Sequence, residues 1–488
     1  MSGIDLHRSA AELGDALRSG RLCAVELLEA TLERIAATAS LGTYLTVDAR
    51  GARAAAEAAR ARLKSGGGRS PIDGVPIALK DNLVTKGLRT TCGSKLMASW
   101  IPPYDGAAAE ALRRAGAVLV GKTNLDEFGM GSSGEHSAFF VTKNPWDAAR
   151  VPGGSSSGSA VAVATGTAGA ALGTDTGGSV RLPAAFCGAW GLMPSYGRVS
   201  RHGVVAHASS LDRVGVLGRS VRDVATILEV LAGPDPRDAS CSVRPPGAYV
   251  ATTATPPGPR TVGRVQPPPE DAVDDTVADA LDHVARTLER LGHRVVDVDP
   301  PDLELALDTY YVIASAEAAS NLARFDGMRF GQRVEAGGYA ESVRASRAAG
   351  LGPEVKRRIA LGEWVSSTEQ YGRVYEQAQR ARTAVVRDFV RRFEVVDVLL
   401  SPVVATAPFR LGARLEDPDA MHATDRWTIP GSLAGLCGLT VPVKSPLGPQ
   451  AVLLSGAAFR EAEILALARS VESRDARVGA MDWTSRFD

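Results

Sequence analysis

The sequence predicts an α/β fold, a central mixed β-sheet sandwiched between helices. Three observations carry that expectation. Helix-periodic segments alternate with short apolar runs along most of the chain, the pattern of a sheet covered by helices. Hydrophobic residues make up 45% and charged residues 23% of the 488 residues, which suits a chain that buries a core and excludes wholesale disorder. Aromatics are only 5% against 51 glycines, so the core must be built from small and aliphatic side chains packed closely. Length alone would allow about three domains at roughly 150 residues each, but the chain reads as a single large domain over residues 1–488.

Residues 8–64 read as largely helical, with one apolar-periodic run around Leu27 and Leu28 and an Ala/Arg-rich stretch from Ala54 to Leu63. Val75 to Leu79 is a short apolar run that ends at Lys80. A helix pattern over Ala107–Ala115 leads into the apolar run Ala117–Val120. The helix Ser220–Leu231 starts with Ser220 as N-cap and Asp223 three residues on. The one compositional break, 245–269, contains eight of the 28 prolines and reads as a surface connection around a short strand, Thr261–Val265. A helix over Asp274–Leu291, a strand over Arg294–Val298, helical regions at 311–325 and 353–392, a strand at Val396–Leu400 and a closing helix at Glu461–Val471 complete the chain.

Fifty-five basic residues balance 55 acidic ones, which argues against a surface that coats nucleic acid by overall positive charge, so no direct nucleic-acid binding is expected. No run of 18 apolar residues exists, so no membrane association is expected. The start, Met1-Ser2-Gly3-Ile4-Asp5, lacks the basic and apolar regions of a secretory signal. Cys23, Cys92, Cys187, Cys241 and Cys437 are widely spaced and read as reduced thiols of a cytoplasmic protein. The seven histidines form neither HExxH nor HxH, so no metal is expected.

The segment 151–191 carries the chemistry. It holds two Gly/Ser turns, Gly153-Gly154-Ser155-Ser156-Ser157-Gly158 and Thr174-Asp175-Thr176-Gly177-Gly178-Ser179, joined by a small-residue helix and an apolar run. Glycine lets backbone approach a ligand closely. A flexible linker fits poorly between ordered apolar flanks. A phosphate loop would need Lys where Ser159 stands. Gly154 to Gly158 matches the GxSxG nucleophile elbow centred on Ser156, but that reading needs a preceding strand and a histidine base among His202, His207, His283, His293 and His422. The remaining reading pairs the serines with Lys80. A serine hydroxyl is a weak nucleophile until a base takes its proton. Burial of Lys80 at a strand end could lower its pKa from ~10.4 to about 7, a desolvation of roughly 4–5 kcal/mol. A bridging serine would then relay the proton.

Gly153-Gly154-Ser155-Ser156, Asp175-Thr176-Gly177-Gly178-Ser179 and Phe186-Cys187-Gly188 resemble the amidase signature family over essentially the whole chain. The spacing of 75 residues from Lys80 to Ser155 and 24 from Ser155 to Ser179 fits that family's Ser-cisSer-Lys triad. The resemblance implies the amidase-signature fold and amide hydrolysis through an acyl-enzyme without a cofactor. It implies Ser179 as nucleophile, Ser155 as a relay with a cis peptide and Lys80 as base. The N–H groups of Thr176, Gly177, Gly178 and Ser179 would form the oxyanion hole.

Within the family the chain is similar to the A-type subunits of tRNA-dependent amidotransferases, through Gly121–Phe128 with Gly131–Ser137, Ser320–Gly327, Glu354–Ile359 and Asp425–Pro430. This implies glutamine as favoured substrate, B-like and C-like subunits as partners, and Gly131, Ser132, Tyr310, Arg358 and Asp425 at the substrate, with Arg357 and Tyr311 as rivals of their neighbours. Asp425 would pair with an α-ammonium and Arg358 with an α-carboxylate. The chain departs from these subunits at Met193, where they carry lysine, at Ser157, where glycine is frequent, and over Leu447–Val452. Those departures keep a stand-alone amidase acting on another small carboxamide as the alternative, ahead of a non-catalytic scaffold.

Overall fold

The computed structural model describes residues 3–269 and 272–481, so the reading of Met1 and Ser2 lies outside the described residues. The strands are β1 (Tyr44–Val47), β2 (Pro76–Lys80), β3 (Val118–Thr123), β4 (Ala170–Asp175), β5 (Trp190–Met193), β6 (Arg213–Gly218), β7 (Thr261–Val265), β8 (Arg294–Val298), β9 (Val398–Pro402), β10 (Cys437–Val443) and β11 (Gln450–Gly456). Among the described residues they form one 11-stranded sheet in the order β1-β3-β2-β4-β6-β5-β10-β11-β9-β7-β8. β3, β2 and β4 run parallel, β4 to β9 pair antiparallel in succession, and β9, β7 and β8 are parallel again. The sheet is therefore mixed, with helices on both faces.

The central strands β2, β4, β6, β5, β10 and β11 are buried along their whole length. That is why they read as continuous apolar runs rather than alternating ones. Helix ends follow local chemistry. Ser220 Oγ accepts from Asp223 N at 3.1 Å and Ser220 N donates to Asp223 Oδ2 at 3.1 Å, closing a capping box. Ser9 and Glu12 close another at the helix Ala10–Arg18.

Four boundaries differ from the sequence expectation. The helical stretch 8–64 is broken by β1, whose Tyr-Leu-Thr-Val sequence suits an edge strand and pairs antiparallel with β3. The helix expected at 311–325 begins at Leu303, where Asp302 Oδ1 accepts from Leu305 N at 2.9 Å. The region 353–392 is two helices, Pro353–Val365 and Glu376–Val395, separated by a π turn at Tyr371–Tyr375, and an unanticipated helix, Tyr339–Gly350, precedes them. The last strand before the C-terminal hairpin starts two residues late, at Val398. In the Pro-rich stretch, Pro245, Pro246, Pro256, Pro259 and Pro269 are exposed, but the strand between them is inserted into the sheet between β9 and β8. Among the described residues no helix is long and apolar enough to cross a membrane.

Candidate active site

The site forms where the parallel neighbours β2 and β4 end. Lys80 is the last residue of β2, and Asp175 the last of β4. The helix Ser157–Ala164 is made only of Ser, Gly, Ala and Val and is buried throughout. Its small side chains let it lie close on this part of the sheet, which brings the turn before it against the end of β4.

Lys80 is fully buried, and its Nζ lies 2.7 Å from Ser155 Oγ, 3.0 Å from Thr174 Oγ1 and 3.3 Å from the Thr174 carbonyl. Burial pushes the amine down to about 7, against the opposing pull of Asp126, Asp175 and Asp212. The Gly154–Ser155 peptide is cis. The two turns are joined by Ser156 N, which donates to the Ser179 carbonyl at 3.0 Å. Ser179 is buried, and its hydroxyl makes no hydrogen bond among the described residues, to Ser155 or to any other group. Ser156 Oγ instead donates to the Thr174 carbonyl at 3.2 Å, and no strand lies between β3 and the helix at Ser157, so the elbow centred on Ser156 lacks its structural context.

The N–H groups of Thr176, Gly177, Gly178 and Ser179 likewise have no partner within the described residues. Buried N–H groups are nearly always paired, so four successive free donors form a site poised for negative charge. The turn is clipped from beneath. Asp175 Oδ2 accepts from Val180 N at 3.0 Å, and the Arg181 guanidinium forks onto the same carboxylate at 2.9 and 3.1 Å. Thr176 Oγ1 donates to Asp212 Oδ1 at 2.7 Å.

Tyr310 and Asp425 stand directly over the glycines. A Cβ on Gly177 would come 2.8 Å from Tyr310 Cζ, and one on Gly178 would come 2.3 Å from Thr428 Oγ1 and 3.2 Å from Asp425 Oδ1. Ser132 Oγ donates to Asp425 Oδ2, while the Gly131 backbone turns between Asp126 and His136. Burial raises the Asp425 carboxyl to about 7, against that hydrogen bond and the charge of Arg358. Arg358 is 3% exposed, donates from Nε to Glu354 Oε1 at 2.6 Å and lies over the Tyr311 ring at 5.2 Å. Its Nη atoms make no hydrogen bond among the described residues. Burial opposes the Glu354 charge, but Arg357 and Arg358 outweigh it and hold the carboxyl at about 2.

The rival residues are placed differently. Arg357 is about a third exposed and is held by Glu354 and, at 2.8 Å, by His422 Nε2. Tyr311 stacks on His422 at 3.6 Å between ring centroids.

The sequence profile described as Amidase matches residues 26–465. The chain belongs to the amidase family. It is an amidohydrolase. It is 50% identical over 436 residues to the A subunit of glutamyl-tRNA(Gln) amidotransferase from Geobacter sulfurreducens, covering 88% of this chain and 89% of that one. The solved A subunit of glutamyl-tRNA(Gln) amidotransferase from Thermotoga maritima superposes with a TM-score of 0.80 at 33% identity, covering 98% of this chain and 97% of that one. The native peptide amidase of Stenotrophomonas maltophilia superposes with a TM-score of 0.80 at 28% identity over 96% of both chains.

Within this amidase, sequence reasoning missed several supports of the site. Thr174 opens the second Gly/Ser turn, and nothing in that turn singles it out from its neighbours. Asp212 and Ser432 act through contacts with residues far off in sequence, and no local pattern marks them, while Thr428 lies in the Asp425–Pro430 stretch without a role of its own there. Met193 has a buried cation for a neighbour. Arg213, buried in β6, donates from Nη1 to Met193 Sδ at 2.9 Å. A lysine there would set an ammonium against a buried guanidinium.

Proposed function

We propose that this amidohydrolase hydrolyses the side-chain amide of glutamine through an acyl-enzyme on Ser179. We propose that it supplies the ammonia as the A-type subunit of a tRNA-dependent amidotransferase, with B-like and C-like subunits as partners. The observation that carries the chemistry is the buried Lys80–Ser155 pair beside four free backbone N–H groups.

Rotation of the Ser179 hydroxyl onto Ser155 Oγ completes a relay. Ser179 gives its proton to Ser155 as Ser155 gives its own to neutral Lys80, and Ser179 Oγ attacks the amide carbon. The carbonyl oxygen gains the negative charge and takes the N–H groups of residues 176–179. As the C–N bond breaks, the proton returns from Lys80 through Ser155 to the leaving nitrogen, and ammonia departs. Water then attacks the Ser179 ester by the same relay and frees glutamate. Asp425, oriented by Ser132, takes the substrate ammonium, Arg358 takes the carboxylate, and Tyr310 covers the turn.

Ammonia release from glutamine, asparagine and simple aliphatic and aryl amides tests this, with Ser179→Ala as blank. Preference for glutamine, together with stable co-purification of B-like and C-like subunits, is expected. Turnover of other amides with glutamine ignored would replace the reading with a stand-alone amidase acting on another small carboxamide. What supports that second reading is that a native peptide amidase matches this chain over nearly its full length with the same TM-score as the A subunit.

A further inference from the structure

Glu354, Arg357 and Arg358 lie on the helix Pro353–Val365 at spacings i, i+3 and i+4, where side chains meet. Both guanidiniums reach back to the one carboxylate. Arg357 grips it with a fork, Nε to Oε2 at 2.8 Å and Nη2 to Oε1 at 2.9 Å. Arg358 places only Nε on Oε1, at 2.6 Å. Two-point pairing is the favoured geometry of carboxylate and guanidinium. Arg357 occupies it, so Arg358 is anchored at one point and its Nη edge stays open.

Arg357 is itself held. Its Nη2 donates to His422 Nε2 at 2.8 Å. The His422 ring stacks on Tyr311 at 3.6 Å between centroids, with the planes 24° apart, and the Arg358 guanidinium lies over the same Tyr311 ring at 5.2 Å. Burial, and then the charges of Arg358 and Arg357, push the imidazole down to about 3, so it is neutral and its Nε2 lone pair takes the bond. His422 ends the helix Pro418–His422, three residues before Asp425, and Tyr311 follows Tyr310 on the helix Leu303–Leu322. One chain of contacts thus joins the three segments that carry Asp425, Tyr310 and Arg358.

Glu354 is a rival for the open edge. A carboxylate on the same helix is always at hand, at an effective concentration that a free ligand does not reach. Freed from Arg357, it would turn both oxygens onto Arg358 and cover the Nη atoms.

We propose that Arg357 and His422 are positioning residues: they lock Glu354 onto Nε of Arg358, keep the Nη edge open for a substrate carboxylate, and so select amides carrying a carboxylate at the end remote from the scissile bond. This rests on the reading of Arg358 as the carboxylate site. Neither residue touches the substrate in this arrangement.

Calorimetric titration of the Ser179→Ala protein, which cannot turn over its ligand, tests this with glutamine against 4-aminobutanamide, which keeps the amide and the ammonium but lacks the carboxylate. Adding Arg357→Lys keeps the positive charge and loses the fork. It is expected to weaken glutamine about 3–30-fold, within the range for coupled residues of one ion-pair network. It should change 4-aminobutanamide less than about twofold. His422→Phe, which keeps a ring against Tyr311 and removes only the acceptor, should weaken glutamine in the same selective way. Glu354→Gln should then recover most of the loss in Arg357→Lys, strengthening glutamine about threefold more there than in the parent.

Glutamine affinity unchanged in Arg357→Lys or in His422→Phe would overturn the proposal while leaving Arg358 its role. Equal weakening of both ligands would mean that the two residues only support the fold, and would overturn it as well. A selective loss that Glu354→Gln does not relieve would mean that Arg357 meets the carboxylate itself, which also overturns the lock. A parent protein that does not prefer glutamine over 4-aminobutanamide would remove the carboxylate reading of Arg358 and the proposal together. Should His422→Phe not fold, Arg357→Lys, at a position about a third exposed, carries the test with its Glu354→Gln partner.

Discussion

Lys80 Nζ and Ser155 Oγ stand 2.7 Å apart where neither residue is more than 1% exposed. The contacts around Nζ suit a neutral amine. Its two N–H groups match Thr174 Oγ1 and the Thr174 carbonyl, which leaves the lone pair for the Ser155 hydroxyl. An ammonium in the same place could donate to all three but could accept no proton. Lys80→Ala should therefore lower kcat by about 10²–10⁴-fold, the range for loss of a general base. Lys80→Arg should fare no better, because a guanidinium stays protonated. Ammonia release checks both, and near-native rates in Lys80→Arg would remove the base assignment.

The pH dependence follows from two groups. Burial brings Lys80 down to about 7, and the proposed relay needs its deprotonated form. Burial brings Asp425 up to about 7, and the proposed pairing with a substrate ammonium also needs the deprotonated form. Both ionisations act in the same direction, so kcat/KM should rise with pH through about 7 and level off above it. The limb should be steeper than a single titration permits. In Asp425→Asn it should fall to the slope of one group, with kcat/KM reduced throughout. A rate that falls as pH rises through 7 would contradict both roles.

Gly178 is a steric requirement of the turn. Its replacement by alanine would drive a Cβ to 2.3 Å from Thr428 Oγ1, and Gly177→Ala would press on Tyr310 at 2.8 Å. Relief must come from moving the turn or the side chains above it, at about 1–3 kcal/mol of stability. Moving the turn re-aims its N–H donors, and misplacing such a donor costs about 10²–10³-fold in kcat. Gly178→Ala should therefore be folded but nearly inactive, as thermal melting and ammonia release would reveal. Retention of full activity would mean that the N–H groups of this turn do not face the reacting oxygen.

Much of this was legible in the sequence because it is local. The Ser220–Asp223 capping box, the apolar run ending at Lys80 and the Gly/Ser turns around Ser155 and Ser179 each sit within a few residues, and the structure draws Lys80, Ser155 and the second turn to one place. β1 was not legible, since four residues with mixed burial lie in a long helix-periodic stretch. Asp212 and Ser432 were not legible either. Their importance comes from partners far away in the chain, and nothing in their own neighbourhoods distinguishes them from ordinary polar residues. The choice of Tyr310 over Tyr311 to stand above Gly177 likewise depends on how helix Leu303–Leu322 is rotated, which an adjacent pair of identical residues cannot reveal.

Arg181 and Asp175 make the buried ion pair on which the turn depends. Their side chains are 1% and 0% exposed, and the guanidinium also donates to the Thr428 carbonyl at 2.8 Å and to Ser432 Oγ at 2.7 Å. Burial works against the Asp175 charge, but Arg181 and the Val180 N–H outweigh it and hold the carboxyl below its ordinary range. Removing only the cation leaves that carboxylate buried and uncompensated. Arg181→Ala should therefore lose about 3–5 kcal/mol, the cost of breaking a buried pair from one side. The urea midpoint should fall with an unchanged slope, as expected for a loss of stability without a change in the surface exposed on unfolding. Arg181→Lys restores the charge but not the fork onto both carboxylate oxygens, nor all of the bonds to Thr428 and Ser432. It should recover part of the stability and less of the activity, since Asp175 would no longer be held square beneath the 176–179 turn. An Arg181→Ala protein within about 1 kcal/mol of the parent, below the range for breaking a buried pair, would mean that the Asp175 N–H bonds alone hold the turn.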